Sequence, residues 1–573
     1  MKKGLILLAL FYLLFPRFSY SFDTTFNNTK YLSEQTYWKQ LLHFRDGKSE
    51  IDSANFFLAT DGKTNLKAEL EATLEAIKQD ESVYCRFPAR VKWLYQQLPS
   101  LEKINPYKKC TELEQIINNY QASKAVLVFP TAHINSPASM FGHTFLRIDD
   151  KTGLPLTANA INYAANTQES NGLAFAYKGL FGGYEGRYSV LPYYKKIKEY
   201  SNLERRDVWE YELNLNQTEM TRLLTHLYEV KDTYADYFFF TENCSYNLLW
   251  LLEIARKGTD LVSKFNFQVI PIDTVREVKE AGFIVKSKFR PSKAKRIKSL
   301  VEEEKHATGK LKKAYQSEIS TELLQLKRSE NSIEKGSYIK QLMKNLAKRS
   351  QLPVLPKVVI KVPPDPVLSH KTSRVGLAWN SQEELELSIK AAFHDIYDLE
   401  KGFIKGAYID FFNLKIAKRA DNKVSFKELN LLNINSYAIR DRVFKPLSWG
   451  ITVGAIDFRN KTNFKLTGEV GLTYGLGPSS LAFMMLKPAL YYRDEVIVSI
   501  GPKLGFISDF DSYKIGAFAS KNYFNKGEEE VRAELFSTIS ISKNTAVNLK
   551  VTSDRLGSFK SDENYSISWF YYF

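Results

Sequence analysis

The sequence predicts a multidomain α+β protein that ends in an antiparallel transmembrane β-barrel of about 12 strands. Three observations carry this. The chain of 573 residues is too long for a single hydrophobic core. Its apolar period changes along its length, from three-and-four spacing through short buried runs to strict alternation. The last residues, "YSISWFYYF", keep alternating to the C-terminus, with Tyr565, Ile567, Trp569, Tyr571 and Phe573 on one face. The expected divisions are a signal peptide over 1–21, a helical N-terminal region over 22–120, an α+β domain over 121–285, a basic helical connector with a Pro-rich linker over 286–370, and the barrel over 371–573.

The first element is an export signal. "MKKGLILLALFYLLFPRFSYSF" has Lys2 and Lys3, an apolar run from Leu5 to Phe15, and small Ser19 and Ser21 at alternate positions, which predicts cleavage after Ser21. No cysteine follows closely, so no lipid anchor is expected there. No later run reaches the ~18 apolar residues that a membrane-spanning helix requires.

Residues 22–120 read as helices because apolar positions recur at three and four in "LKAELEATLEAIKQ" and "KCTELEQIINNYQAS". An exported chain meets oxidising conditions, so Cys85 and Cys110 are expected to pair. That leaves Cys244 without a partner.

Between 121 and 285 the pattern mixes. "KAVLVFP", "HTFLRID" and "LPLTANAINYAA" read as short strands, with "DDKTG" as the turn between the last two. The strand "RDVWEYELNL" precedes the amphipathic helix "NQTEMTRLLTHLYEVKDTY", which Asn216 or Thr218 can cap. A second helix starts at "NCSYNLLWLLEIAR".

Residues 286–350 hold 18 Lys plus Arg against 7 Asp plus Glu, much of the chain's formal +16. Export argues against nucleic acid as the partner. The remaining readings are a solvated helical connector, or a contact with anionic outer-membrane lipid or lipopolysaccharide phosphates. Prolines 353, 356, 363, 364 and 366 then mark a stiff linker.

Beyond the linker alternation is strict. In "NFKLTGEVGLTYGL", Phe464, Leu466, Val470, Leu472, Tyr474 and Leu476 share one face, opposite Lys465, Thr467, Glu469 and Thr473. Runs of this length favour a barrel over a secreted β-sandwich. The aromatic C-terminus resembles the assembly signal of outer-membrane barrels, which places the protein in the outer membrane of a Gram-negative bacterium with its other domains in the periplasm.

The chemistry-bearing candidates lie in the α+β domain. Cys244 begins a helix, where the N-terminal partial charge favours thiolate and predicts a lowered thiol pKa. A cysteine nucleophile needs a base, a group to orient that base, and donors for the oxyanion. His143 opens a strand after Gly142 and is the candidate base. A hairpin through "DDKTG" brings residues 159–162 beside it, so Asn162, with Asn159 next in order, is the candidate orienting group. Oxyanion donors are sought in the Cys244 backbone N–H and in His133, Ser139 and Asn243. Histidine spacing predicts no metal site, and no phosphate-binding loop or other cofactor motif is present.

"HINSPASMFGHTFLRI", "AINYAA", "GGYEGRYSVLPYY" and "ENCSYNLLWLLE" resemble the Lnb N-terminal periplasmic domain family, associated with bacterial lipoprotein N-acylation, across roughly residues 120–255. The order of histidine strand and cysteine helix also resembles the permuted papain-like enzymes, including lecithin:retinol acyltransferase. The resemblance implies a thioester mechanism in which Cys244 takes an acyl group from a phospholipid or lipoprotein substrate. The alternatives are a peptidoglycan amidase or endopeptidase of papain-like fold, and a non-catalytic structural barrel or transporter.

Overall fold

The computed structural model describes residues 21–573 except 105–109, 121–123, 135–139, 156, 168, 170, 420, 459–460, 526 and 558–560. The expected signal segment, Ser21 apart, lies outside the described residues, and so does Ser139.

The N-terminal region is mainly helical. Helices Ser21–Glu34, Thr36–Leu41, Leu66–Gln79, Val83–Arg86, Pro88–Gln97, Pro99–Ile104 and Thr111–Asn119 are interrupted by a hairpin of β1 (Phe44–Arg45) and β2 (Lys48–Ser49). Trp38, Leu70, Tyr84, Phe87 and Leu94 form its core. The Cys85–Cys110 disulfide ties the helix Val83–Arg86 to the start of Thr111–Asn119. Arg90, fully buried, pairs with Glu69 at 2.7 Å and Glu229 at 2.8 Å, and lies over the rings of Phe56 and Phe87. Because Glu229 belongs to the next domain, this cluster joins the two.

That domain is built on a seven-stranded antiparallel sheet of order β8-β6-β5-β4-β3-β7-β9. The strands are β3 (Ala125–Pro130), β4 (Phe145–Ile148), β5 (Asn159–Ala165), β6 (Glu185–Pro192), β7 (Val208–Leu213), β8 (Ala235–Asp236) and β9 (Ile284–Arg290). A domain boundary at 285 would cut β9, which pairs with β7 from Val208↔Arg290 to Leu213↔Ile284. Its sequence "IVKSKFR" carries solvent-facing lysines, as an edge strand does, and therefore reads as the start of the basic connector.

One sheet face packs against helices Gln217–Val230, Cys244–Ala255 and Pro271–Glu280. Asn216 is the cap of the first, in a reciprocal capping box with Glu219. Every residue of Cys244–Ala255 is buried. On the other sheet face Tyr193 and Tyr200 cover Val126, Val128 and Phe145.

Helices Lys293–His306, Gly309–Ser329 and Lys335–Ser350 form the connector. The barrel follows as β10 (Arg374–Asn380), β11 (Leu385–His394), β12 (Ala407–Lys418), β13 (Val424–Ser436), β15 (Ser448–Phe458), β16 (Lys461–Gly475), β17 (Ser480–Tyr492), β18 (Val496–Asp509), β19 (Tyr513–Phe524), β20 (Glu529–Ser542), β21 (Thr545–Leu556) and β22 (Asp562–Tyr572); a two-residue β14 (Ile439–Arg440) lies beside β16. These twelve strands form a closed antiparallel ring, because β10 pairs with β22 and β16 with β17. Asn463, Lys465 and Thr467 point into the lumen while Phe464, Leu466 and Val470 point out. Inside, Glu428 pairs with Lys415 at 3.0 Å and Lys465 at 2.6 Å, and Lys503 with Glu469 at 2.8 Å. No described helix is long and apolar enough to cross a membrane.

One end of the ring, here the near rim, carries the start of β10 and the end of β22. Its mouth is filled by the segment 395–406, where Tyr397 donates to Glu534 at 2.8 Å and the Glu400 N–H to Asp509 at 3.0 Å. At this rim the α+β domain leans on the outer wall. The outward residues Ile409, Phe411, Leu432, Ile434, Trp449 and Ile451 belong to, or pack on, the same core as Tyr246 and Leu248. Phe141 meets Phe393 at 5.4 Å and Phe411 at 5.5 Å between ring centres, and Phe240 meets Phe411 at 4.8 Å.

Arg90→Ala should destabilise the joined N-terminal and α+β regions by roughly 3–5 kcal/mol, because two buried carboxylates lose their counter-charge. Chemical denaturation followed by tryptophan fluorescence measures it. The barrel should remain heat-modifiable in detergent gels in this variant.

Candidate active site

The site forms where the most apolar helix of the domain meets the β4–β5 hairpin. Asn243 caps that helix: its Oδ1 accepts from the Ser245 and Tyr246 N–H groups at 3.1 and 3.3 Å and from the Ser245 hydroxyl at 2.7 Å. Its Nδ2 donates to the carbonyls of Phe239 and Val269 at 3.0 and 2.8 Å. With both ends of its amide engaged, Asn243, one of the expected oxyanion donors, is the helix cap in this structure.

The cap sets Cys244 in the first turn, with 2 % of its surface exposed. The backbone N–H of Thr144 is near enough to the thiol to favour its charged form. Thr144 follows His143, so the expected nucleophile lies near the strand start that carries the expected base. Gly142 makes the approach possible. Its φ is +105°, and a Cβ there would stand 2.6 Å from the Phe129 ring. The His143 N–H then donates to the Pro130 carbonyl at 3.3 Å.

The hairpin supplies the third group. Strands β4 and β5 pair through Leu146↔Ile161 and Ile148↔Asn159, and Asn162 Oδ1 lies 2.8 Å from His143 Nε2. With the amide oxygen toward the ring, Nε2 carries the proton and Nδ1 is left as the base. Asn159, the next candidate, instead donates to the Tyr120 hydroxyl.

Three further groups were not legible in the sequence. The Tyr237 hydroxyl accepts from the Cys244 N–H at 3.2 Å, so the backbone donor expected for an oxyanion is already engaged and a hydroxyl stands in its place. The Tyr200 ring lies 5.7 Å from the His143 ring. Arg206, also buried, has its guanidinium 4.9 Å from the Tyr200 ring and donates to the Pro130 and Thr131 carbonyls at 2.8 and 2.6 Å. Tyr237 sits in the aromatic run "DYFFF" and Arg206 in "ERRD" before a strand, where the usual readings are core and surface. His133 is half-buried near Glu204 and Arg206.

Burial governs the electrostatics. It pushes the Cys244 thiol up, against the lowering effects of the Thr144 N–H, Tyr237 and Arg206. It also pushes the His143 imidazole down to about 3. The lowered thiol pKa expected at a helix start is therefore corrected. A helix terminus contributes ~0.3–1 kcal/mol, whereas removing a charge from water shifts a pKa by up to about 3–5 units. Burial thus favours the neutral thiol and the neutral imidazole at this site. Among the described residues, no cluster of metal ligands occurs at this site.

Residues 112–281 match the Lnb N-terminal periplasmic domain family. Residues 30–97 and 363–572 match two further families, both described as domains of unknown function, DUF7843 and DUF7840. No curated protein matches the chain. Solved structures similar to it include the NanC porin, 8 % identical over 35 % of this chain and 99 % of that one with a TM-score of 0.25. An outer membrane channel from Pseudomonas putida F1 is 9 % identical over 39 % of this chain and 100 % of that one, also at 0.25. The Lnb domain is thus fused to a twelve-stranded barrel whose assignment rests on its own strand ring and outward apolar face.

Two outcomes follow for the Lnb domain. Alkylation of Cys244 in the full chain should be slow at neutral pH and should rise only above the pH range of an ordinary thiol, since a raised pKa leaves less thiolate at any given pH. Mass spectrometry of iodoacetamide adducts across pH checks this; full reactivity below pH 7 would mean a preformed ion pair. Gly142→Ala should cost about 1–3 kcal/mol through its clash with Phe129 and its left-handed φ, read as a lowered thermal midpoint.

Proposed function

We propose that this protein is a Cys-His acyltransferase or lipid hydrolase of the bacterial outer membrane, acting from the periplasmic side on phospholipid or lipoprotein acyl groups. The observation that carries the reading is the Asn162–His143 hydrogen bond at 2.8 Å, with the buried Cys244 at the first turn of a helix near the adjoining Thr144. It provides an oriented base beside a nucleophile.

In the proposed cycle Cys244 Sγ attacks an ester carbonyl while its proton passes to His143 Nδ1. The oxyanion forms near the Tyr237 hydroxyl, which turns to donate to it. Collapse breaks the ester C–O bond, and His143 returns the proton to the departing lysophospholipid alcohol. The thioester on Cys244 is then attacked by an amine or by water, whose proton His143 accepts and passes back to the sulfur. Asn162 keeps Nε2 protonated throughout, fixing Nδ1 as the reacting nitrogen. No step requires a metal or cofactor.

Two features favour lipid over wall peptide as substrate. The Lnb domain packs on the outward face of the barrel, the surface that lipid chains cover elsewhere on the ring. Exposed Tyr177, Leu180 and Phe181 stand at the end of a helix whose Gly179 touches Phe239, in the aromatic run leading to Cys244.

The test incubates the full chain with phospholipid vesicles and seeks an acyl adduct on Cys244 by intact mass, followed by release or transfer assays with peptidoglycan fragments as control. Cys244→Ala should abolish activity and His143→Ala should come close, with the double variant little worse than either. Asn162→Ala should cost roughly 10–100-fold, and Tyr237→Phe roughly 100-fold in kcat. Activity surviving in Cys244→Ala would end the catalytic reading. Activity confined to wall peptides would make the protein an amidase.

A further inference from the structure

The connector's positive charge is not all alike. In the first helix the basic groups from 293 to 298 are used internally: Lys293 pairs with Glu322 at 2.8 Å, Arg296 with Glu322 at 3.1 Å, Lys295 with Asp207 at 3.0 Å and Lys298 with Asp441 at 2.9 Å. Together with Arg442–Glu304 at 2.6 Å, the Lys298–Asp441 pair clamps this helix to the barrel loop that joins β13 and β15 at the near rim. Leu355 and Val358 of the linker pack into the same cluster as Val443 and Phe444 of that loop.

The third helix differs. It buries no residue. Its attached face meets the second helix through Arg349–Glu318 at 3.4 Å and Asn345–Ser320 at 3.2 Å. On another face Ile339, Met343 and Leu346 stand exposed, Met343 by 61 %. These positions recur at four and three and form one stripe. Lys340, Lys344 and Lys348 run along the helix away from its attached face, and among the described residues none of their ammonium groups forms an ion pair or hydrogen bond. The helix contains no acidic side chain. The linker that follows continues the theme, with Val354 90 % and Val359 85 % exposed and Lys357 and Lys361 between and beyond them.

We infer that the helix Lys335–Ser350 and the linker to Val362 form a membrane-surface element that lies on the phospholipid leaflet at the near rim and binds anionic head groups. Three observations select this occupant. The element is held at the rim by the clamp to the β13–β15 loop, which places it at head-group level. Its free cations match a negative surface, and an apolar stripe flanked by lysines is the pattern of a helix lying in the interface. The inference rests on the barrel and is independent of the chemistry assigned to Cys244.

The test places Cys at Met343 (Met343→Cys) in the full chain, labels it with an environment-sensitive nitrobenzoxadiazole dye, and reconstitutes it in vesicles of phosphatidylethanolamine and phosphatidylglycerol; unsubstituted chain gives the background from Cys244. Emission should shift to the blue and be quenched by phospholipid carrying a nitroxide high on its acyl chain. Lys340→Glu, Lys344→Glu and Lys348→Glu together should lower the partition constant roughly 100-fold, from about 1 kcal/mol per lysine, as should vesicles of phosphatidylcholine alone. Retained heat-modifiable migration shows that each variant is folded; should the triple variant lose it, Ile339→Ser with Leu346→Ser is read in the same assay with the same expected loss. Emission at its value in water without quenching, or quenching that neither charge reversal nor neutral lipid changes, would overturn the inference. The first of these would turn the stripe over to a protein partner.

Discussion

The structure is organised around a helix that has no solvent side. Cys244–Ala255 is buried along its whole length, so each direction away from its axis must be filled. The β3–β7 sheet and the helices Gln217–Val230 and Pro271–Glu280 fill part of it. The N-terminal region fills another part, and it does so with polar groups as well as apolar ones. Glu50 accepts from the Tyr246 hydroxyl and Trp250 Nε1 at 2.6 and 2.8 Å, and Gln40 donates to Glu253 at 3.1 Å. The same burial fixes the first turn of the helix and therefore the position of the thiol.

Burial has a chemical consequence as well as a mechanical one. In the proposed cycle a neutral thiol and a neutral imidazole carry no charge at rest, and charge develops on them only when a substrate carbonyl can share it. Arg206 and Tyr237 then matter more than at rest. Arg206 supplies a fixed positive field near the sulfur, and the Tyr237 hydroxyl can reverse its role from acceptor to donor by rotation about one bond.

Much of this was legible because short-range rules govern it. The cap before Cys244 and the hairpin that carries His143 and Asn162 to each other follow from local turn chemistry and strand period. The barrel announced itself through alternation, which needs no knowledge of partners. What stayed hidden depends on long-range packing. Nothing in "ERRD" says that Arg206 is buried, because beside its local pair with Glu204 it donates to carbonyls 75 and 76 residues earlier. The sequence does not display that the Asn243 amide is taken up by backbone groups and the Ser245 hydroxyl. The thiol pKa was misjudged for the same reason: the helix terminus can be read locally, whereas the desolvation that outweighs it comes from the whole fold.

The contact of Phe141 and Phe240 with Phe393 and Phe411 makes the barrel wall part of the neighbouring domain's interior. A domain tethered by a flexible linker would sample all orientations and meet its substrates as a dissolved particle does. This one cannot tumble apart from the barrel. Its Cys244 sulfur keeps one height and one heading relative to whatever plane the barrel occupies. Encounter with molecules confined to that plane becomes a two-dimensional search, governed by their surface density and lateral diffusion instead of by concentration in solution.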